Sequence, residues 1–229
     1  MVVKVYVDYS SQPSRALVIF LRNTKIPFEI VEVNLMGEDH QKPEFVKITP
    51  LCTVPAIQDG DFSMGETVAI IRYLATKYAD LVPDHWYPKD LEKRAKVDEY
   101  MAFHHTGTRG GCCGIFFSEV LIPLLSEGKE HASEETLKRD EENLTKQLDK
   151  LENAFLQDND WLAGDDISIA DVLAVSEMME NTLHGRDVTV GRPKLKAFVD
   201  RVKDRLNPIF DEIHAEMYAW KDKYCSEIL

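Results

Sequence analysis

The sequence predicts an α/β domain over residues 1–80, a linker over 81–89 and an all-helical domain over 90–229. Three observations carry that expectation. Strand and helix signals alternate through the first part. The stretch Ala79 to Pro88 has no periodicity and holds Pro83 and Pro88. Beyond it, every periodic segment repeats at helical spacing. With 229 residues and 44% hydrophobic content, the chain has apolar side chains enough for a sizeable core.

Val3 to Val7 is a β-branched run and reads as the first strand. Gln12 to Asn23 follows as a helix, with Pro13 in the first turn, where a missing N–H costs nothing. Phe28 to Val33 alternates as a strand, Val54 to Gln58 is another, and Asp59-Gly60-Asp61 forms a hairpin turn before Phe62. Glu66 to Tyr78 places Val68, Ile71, Leu74 and Ala75 on one helical face. After the linker, a long helical pattern from Asp90 to about Leu125 is broken at Gly107, Gly110, Gly111 and Gly114. Ser133 to Gln157 carries the clearest apolar stripe, Leu137, Leu144, Leu148, Leu151 and Phe155. Ser168 to Leu183, Lys194 to Leu206 and Pro208 to Tyr224 complete the helices.

Lys and Arg number 27 against 40 Asp and Glu, a formal charge of −13. Such a surface repels phosphate backbones and anionic lipids, which argues against nucleic-acid or membrane-surface binding. Lys4 interrupts the first strand too early for a secretory signal, and no unbroken apolar run approaches the roughly 20 residues of a membrane span. Cys52, Cys112, Cys113 and Cys225 form no CxxC pair, consistent with a reduced, cytoplasmic protein. Metal-ligand spacing, GxSxG, GxGxxG and P-loop patterns are absent, so metal, triad and nucleotide chemistry have no support. No cofactor is expected.

Four short segments carry chemistry. Tyr9-Ser10-Ser11-Gln12-Pro13-Ser14-Arg15 puts hydroxyls at a helix N-terminus, where free N–H groups favour an anion; taken alone, an N-cap serine explains it better. The loop has no Cys, so redox thiol chemistry lacks a nucleophile there. A cis Pro55 would present the Val54 backbone to a peptide-like ligand, while an edge-strand proline is the plainer reading. Glu66 and Thr67 suit an amino-acid head group, the acid taking an ammonium and the helix start a carboxylate, though a cap explains them about as well. Ser168 and Asp171 stand at capping-box spacing, with Ile167 and Val172 placed as a hydrophobic staple, and are structural.

Taken in order, Ser-Gln-Pro-Ser-Arg, Val-Pro, Asp-Gly-Asp-Phe, Glu-Thr and Ser-Ile-Ala-Asp resemble the cytosolic glutathione transferases across nearly the whole chain. Asp84-His85-Trp86-Tyr87-Pro88, Arg94-Ala95 and Val97-Asp98-Glu99-Tyr100 are similar to the theta class. The resemblance implies a thioredoxin-like N-terminal domain, a helical C-terminal domain contributing the electrophile pocket, and a homodimer. It implies conjugation of the glutathione thiolate to small hydrophobic electrophiles, with a glutathione-dependent peroxidase side activity possible on the same thiolate. Glutathione serves as co-substrate.

By the same resemblance the thiolate is stabilised by Ser11, with Ser10 and Tyr9 as neighbours that share the loop. Glutathione contacts fall on His40, Gln41, Val54, Pro55, Glu66, Thr67 and Arg109, and electrophile contacts on Tyr9, Met36 and Phe116. Three departures stand out: Gln41 where relatives often carry Lys, Thr106 where some carry an acid, and an end at Leu229 that implies a more open pocket. The rival readings are a non-catalytic binding or scaffold module and a ligandin that stores hydrophobic compounds.

Overall fold

The computed structural model describes residues 2–220; Cys225 and positions 221–224 of the last predicted helix lie outside the described residues. The first half is a four-stranded mixed sheet in the order β2-β1-β3-β4. Strand β1 (Val3–Val7) runs parallel to β2 (Phe28–Glu32) and antiparallel to β3 (Ala56–Asp59), which pairs with β4 (Phe62–Met64) through the predicted hairpin. Gly60 makes that turn with φ 67, a left-handed conformation that glycine adopts without a steric cost. The β3 ladder starts two residues later than the sequence suggests, because Val54 and Pro55 form the approach to the strand and not part of it.

Alternation along β1 sorts its side chains. Val3, Val5 and Val7 are fully buried among α1 (Gln12–Arg22) and α3 (Thr67–Lys77), while Tyr6 faces the opposite cluster of Val33, Phe45 and Ala56. Phe45 belongs to a short helix, α2 (Pro43–Val46), in the connection between β2 and β3; Tyr6 meets its ring edge-on at 6.0 Å. Four residues are too few for a periodic signal, so this element was not legible.

The linker is pinned from its middle to both domains. His85 Nδ1 lies 2.7 Å from the Ile167 carbonyl, and Trp86 packs edge-on against Phe20 at 5.8 Å. Helices α4 (Leu91–His104), α5 (Thr108–Phe116), α6 (Ile122–Leu125), α7 (Glu134–Lys150), α8 (Ile169–Glu180), α9 (Pro193–Leu206) and α10 (Ile209–Trp220) follow. A π-helical turn, Phe117–Leu121, joins α5 to α6, and a second, Leu151–Phe155, extends α7. Of the predicted breaks only Gly107 separates helices; Gly110, Gly111 and Gly114 lie within α5. Gly111 is needed for proximity, since a Cβ there would sit 3.2 Å from the Cα of Leu144 on α7.

Averaged over 18 residues, Leu91–Leu125 reaches a mean hydropathy of 1.3, long and apolar enough by composition to cross a membrane, although no unbroken run does so. Of that window 44% is buried, and α5 packs against α7 and α8. Helix α8 is buried along its whole length, and α1 packs directly on it. One hydrophobic core therefore runs from β1 through α1 and α8 to α10. The capping box forms as read: Ser168 Oγ accepts from Ala170 N at 3.2 Å and Asp171 Oδ2 accepts from Ser168 N at 2.7 Å, with Ile167 and Val172 both buried.

Candidate active site

Two adjoining hollows lie between the sheet domain and the helices, a cavity of about 730 Å³ and a cleft of about 160 Å³. Thr53, Val54 and Arg109 line both, so the two form one site.

Ser11 holds the N-cap position of α1 with φ −84 and ψ 121, yet its side chain makes no capping hydrogen bond. Pro13 near the start of the helix removes one donor that the hydroxyl would otherwise serve. Ser11 lines the cavity at the positive end of the helix dipole, its hydroxyl without a capping role. Ser10 is exposed on the same wall, its N–H donating to Asp8 Oδ1 at 2.8 Å. The loop is held from behind by Arg15, which is fully buried. Its Nη1 donates to the carbonyls of Tyr9 (2.8 Å) and Ser10 (3.0 Å), while Nη2 pairs with Glu180 on α8.

Tyr9 does not reach the cavity, contrary to the sequence expectation. Its ring packs on the hydrophobic core, where burial and the nearby Glu32 carboxylate push its hydroxyl above the usual tyrosine range. Gln41 is exposed and also lies off both hollows, although its neighbour His40 lines the cavity. His40 Nδ1 is buried without a partner among the described residues. Met36, 63% exposed, and the buried Phe116 both line the cavity.

The cleft gathers the other predicted group. The Val54–Pro55 peptide is cis, and neither the N–H nor the C=O of Val54 joins a backbone hydrogen bond among the described residues. Thr67 begins α3, and Glu66 precedes it with φ 68, a left-handed backbone rarely taken by a non-glycine residue and common where a site dictates the conformation. Pro55, Glu66, Thr67 and Arg109 all line this cleft. Ser168 and Asp171 lie on neither wall.

Arg109 stands at the junction of cavity and cleft. It is anchored by the buried Glu177 carboxylate, which also accepts from Cys113 Sγ at 3.6 Å and lies 3.8 Å from His104 Nε2. Burial drives Glu177 above the usual carboxylate range, with Arg109 pulling the other way. Burial lowers His104 to about 3, and burial together with Glu177 pushes the Cys113 thiol up to about 12. The histidine is thus neutral and the cysteine protonated near neutral pH.

Sequence reasoning missed Glu177, Glu180, Cys113, Gln12 and Asp8. A signal existed for the first two: acids three residues apart among the apolar residues of the Ile169–Glu180 helix, which is buried throughout, must find buried partners. Among the described residues no three His, Cys, Asp or Glu side chains are grouped to hold a metal ion.

A four-stranded α/β sheet beside a helical domain, with the site between them, is the architecture of the glutathione-handling transferases. Sequence models for the Glutathione S-transferase N-terminal domain and C-terminal domain match residues 5–81 and 115–205, and the chain belongs to the glutathione S-transferase family. Within it the likeness is to the theta class: the chain is 41% identical to glutathione S-transferase theta-1 of Mus musculus over 223 residues, 97% of this chain and 91% of the mouse protein. The structure of human glutathione S-transferase T1-1 in its apo form superposes with a TM-score of 0.88 at 40% identity, over 96% of this chain and 91% of that one. A human theta-class enzyme in complex with the glutathione conjugate of 1-menaphthyl sulfate gives 0.92 at 35% identity, over 100% of this chain and 92% of that one.

Proposed function

We propose that this chain conjugates the thiolate of glutathione to small hydrophobic electrophiles, with Ser11 stabilising the thiolate. The observation that carries the reading is Ser11 itself, its hydroxyl spared from capping and its residue lining the cavity beside the N-terminus of α1.

In this reading glutathione lies across the junction. Its γ-glutamyl head occupies the cleft, where the Glu66 carboxylate accepts from the ammonium and the start of α3, with the Thr67 hydroxyl, takes the carboxylate. The cysteinyl backbone pairs with the N–H and C=O of Val54, as a peptide pairs with an edge strand. The glycyl end runs toward His40. The sulfur then sits beside Ser11, facing the apolar walls that hold the electrophile, Met36 and Phe116 among them.

A free thiol with a pKa near 8.5 is only a few per cent ionised at neutral pH. A serine hydroxyl is too weak an acid to serve as base, so Ser11 donates a hydrogen bond to the anion instead. The α1 dipole and the Arg109 guanidinium act in the same direction. Each unit by which the thiol pKa falls corresponds to about 1.4 kcal/mol of preferential anion stabilisation. The thiolate attacks the electrophilic carbon, the carbon–leaving-group bond breaks, and the leaving group departs with the electron pair.

The reading extends to a homodimer, a cytoplasmic location, a glutathione-binding domain over residues 1–80 and a helical domain over 90–229. Glutathione binding measured by calorimetry, with thiolate absorbance followed against pH, tests the core of it. Wild type is expected to bind glutathione with a lowered thiol pKa. Ser11→Ala is expected to return that pKa toward the free value, upward by about one to two units for one charge-assisted hydrogen bond. Absence of binding at millimolar glutathione would refute the assignment.

A further inference from the structure

The electrophile half of the cavity has an unusual wall. Phe117, Leu121 and Leu125 line it from the π-helical turn Phe117–Leu121 and the helix after it, and Phe117 and Leu125 are 51% and 60% exposed. Apolar side chains with so little cover are not fixed by packing on their own side. What holds this segment lies behind it.

There, Glu119, in the middle of the π turn, takes a bidentate pair from Arg186. Nε donates to Oε2 at 2.9 Å and Nη2 to Oε1 at 2.5 Å. Arg186 follows the turn that ends α8, and its Nη1 also reaches Glu141 on α7 at 3.2 Å. His184 Nδ1 lies 2.6 Å from Glu119 Oε2, and the neighbouring Ser118 hydroxyl donates to Asp140 on α7 at 2.5 Å. A planar guanidinium gripping a carboxylate fixes orientation as well as distance, which a single ammonium contact does not. π turns inside helices recur at functional sites.

We infer that the Arg186–Glu119 clasp is a positioning device for the electrophile: it sets the wall of Phe117 and Leu121 and thereby decides the fit of the hydrophobic substrate, without touching glutathione. This rests on the proposed reading that the apolar half of the cavity takes the electrophile. The clasp lies outside both hollows and is only partly buried, with side-chain exposures of 29% for Arg186 and 23% for Glu119, so substitutions there leave the core intact.

The test compares glutathione with S-hexylglutathione by calorimetry, alongside conjugation kinetics. Arg186→Ala is expected to weaken S-hexylglutathione by about tenfold and raise the electrophile KM similarly, as for a displaced contact wall. Glutathione affinity and the pKa of its bound thiol are expected to be unchanged, which also reports that the variant is folded. Glu119→Gln should behave alike. Arg186→Lys should fall between, since it keeps the charge and loses the fork. Equal losses for both ligands, no change in either, or a Lys variant no better than Ala would overturn the inference. If wild type bound S-hexylglutathione no tighter than glutathione, the assignment of the apolar half itself would fail, and the inference with it.

Discussion

Replacing Glu180 by Ala isolates the buried ion pair that ties the Ser11 loop to the helices. Arg15 is 0% exposed and Glu180 2%, so the mutation leaves a buried cation without the carboxylate that its Nη2 pairs with. Breaking one side of such a pair costs about 3–5 kcal/mol. That is a large part of a typical total of about 5–15 kcal/mol. In a domain of this length each kcal/mol moves the melting temperature by about 2–4 °C, so a loss of about 10 °C is expected. Arg15→Met strands the Glu180 acid and additionally frees the carbonyls of Tyr9 and Ser10, which adds about 1 kcal/mol each. The double variant removes both members of the pair, so neither charge is stranded, and only those freed carbonyls and lost packing remain, about 3 kcal/mol together. The two singles therefore sum to far more than the double, and a double-mutant cycle by urea unfolding should show coupling of about 3 kcal/mol or more. Additive losses, or a Glu180→Ala variant within about 1 kcal/mol of wild type, would refute the idea that the pair acts as a unit.

Acid should act through the buried histidines. Burial, with Arg15 next, lowers His214 to about 3, so the folded form refuses a proton that the unfolded chain binds from about pH 6.5 downward. Its contribution is complete above about 6.5 and is lost as pH falls toward 3, at about 1.4 kcal/mol per unit. Asp171, raised to about 6 by burial, titrates with the opposite sign, so the comparison must be made against a variant. Between pH 7.5 and 5.0, wild type should lose about 2 kcal/mol relative to His214→Gln in chemical denaturation, and parallel curves would count against it. Cys113 lines the cavity, yet its thiol is pushed up to about 12; alkylation by iodoacetamide at pH 8 should run about a hundredfold slower than for free glutathione. Comparable rates, followed by mass spectrometry, would contradict that burial and Glu177 keep it protonated.

Much of the architecture was legible because it is written in local pattern. The valines of β1, the stripe from Leu137 to Phe155, the turn at Asp59-Gly60-Asp61 and the Ser168–Asp171 box are each decided within a few residues, and each forms where expected. The site was half legible for the same reason. Ser11, Val54, Glu66 and Thr67 sit at element boundaries with recognisable chemistry, and they meet in the two hollows. What escaped depends on distance along the chain. Arg15 finds Glu180 across 165 positions and Arg109 finds Glu177 across 68, and no spacing rule links them. Tyr9 was misplaced because one residue of turn geometry separates a side chain that enters the cavity from one that enters the core. Gly110, Gly111 and Gly114 were misread as breaks because propensity alone does not reveal that α5 must approach α7 closely.

The continuous core from β1 through α1 and α8 to α10 bears on how such chains diversify. A recombination crossover in the linker would join an α1 surface from one parent to an α8 surface from another, and the seam would run through buried helices. Chimeras are therefore expected to survive when the contact residues of α1 and α8 travel as a set. Lineages should exchange the outer helices far more freely than the two halves of the chain.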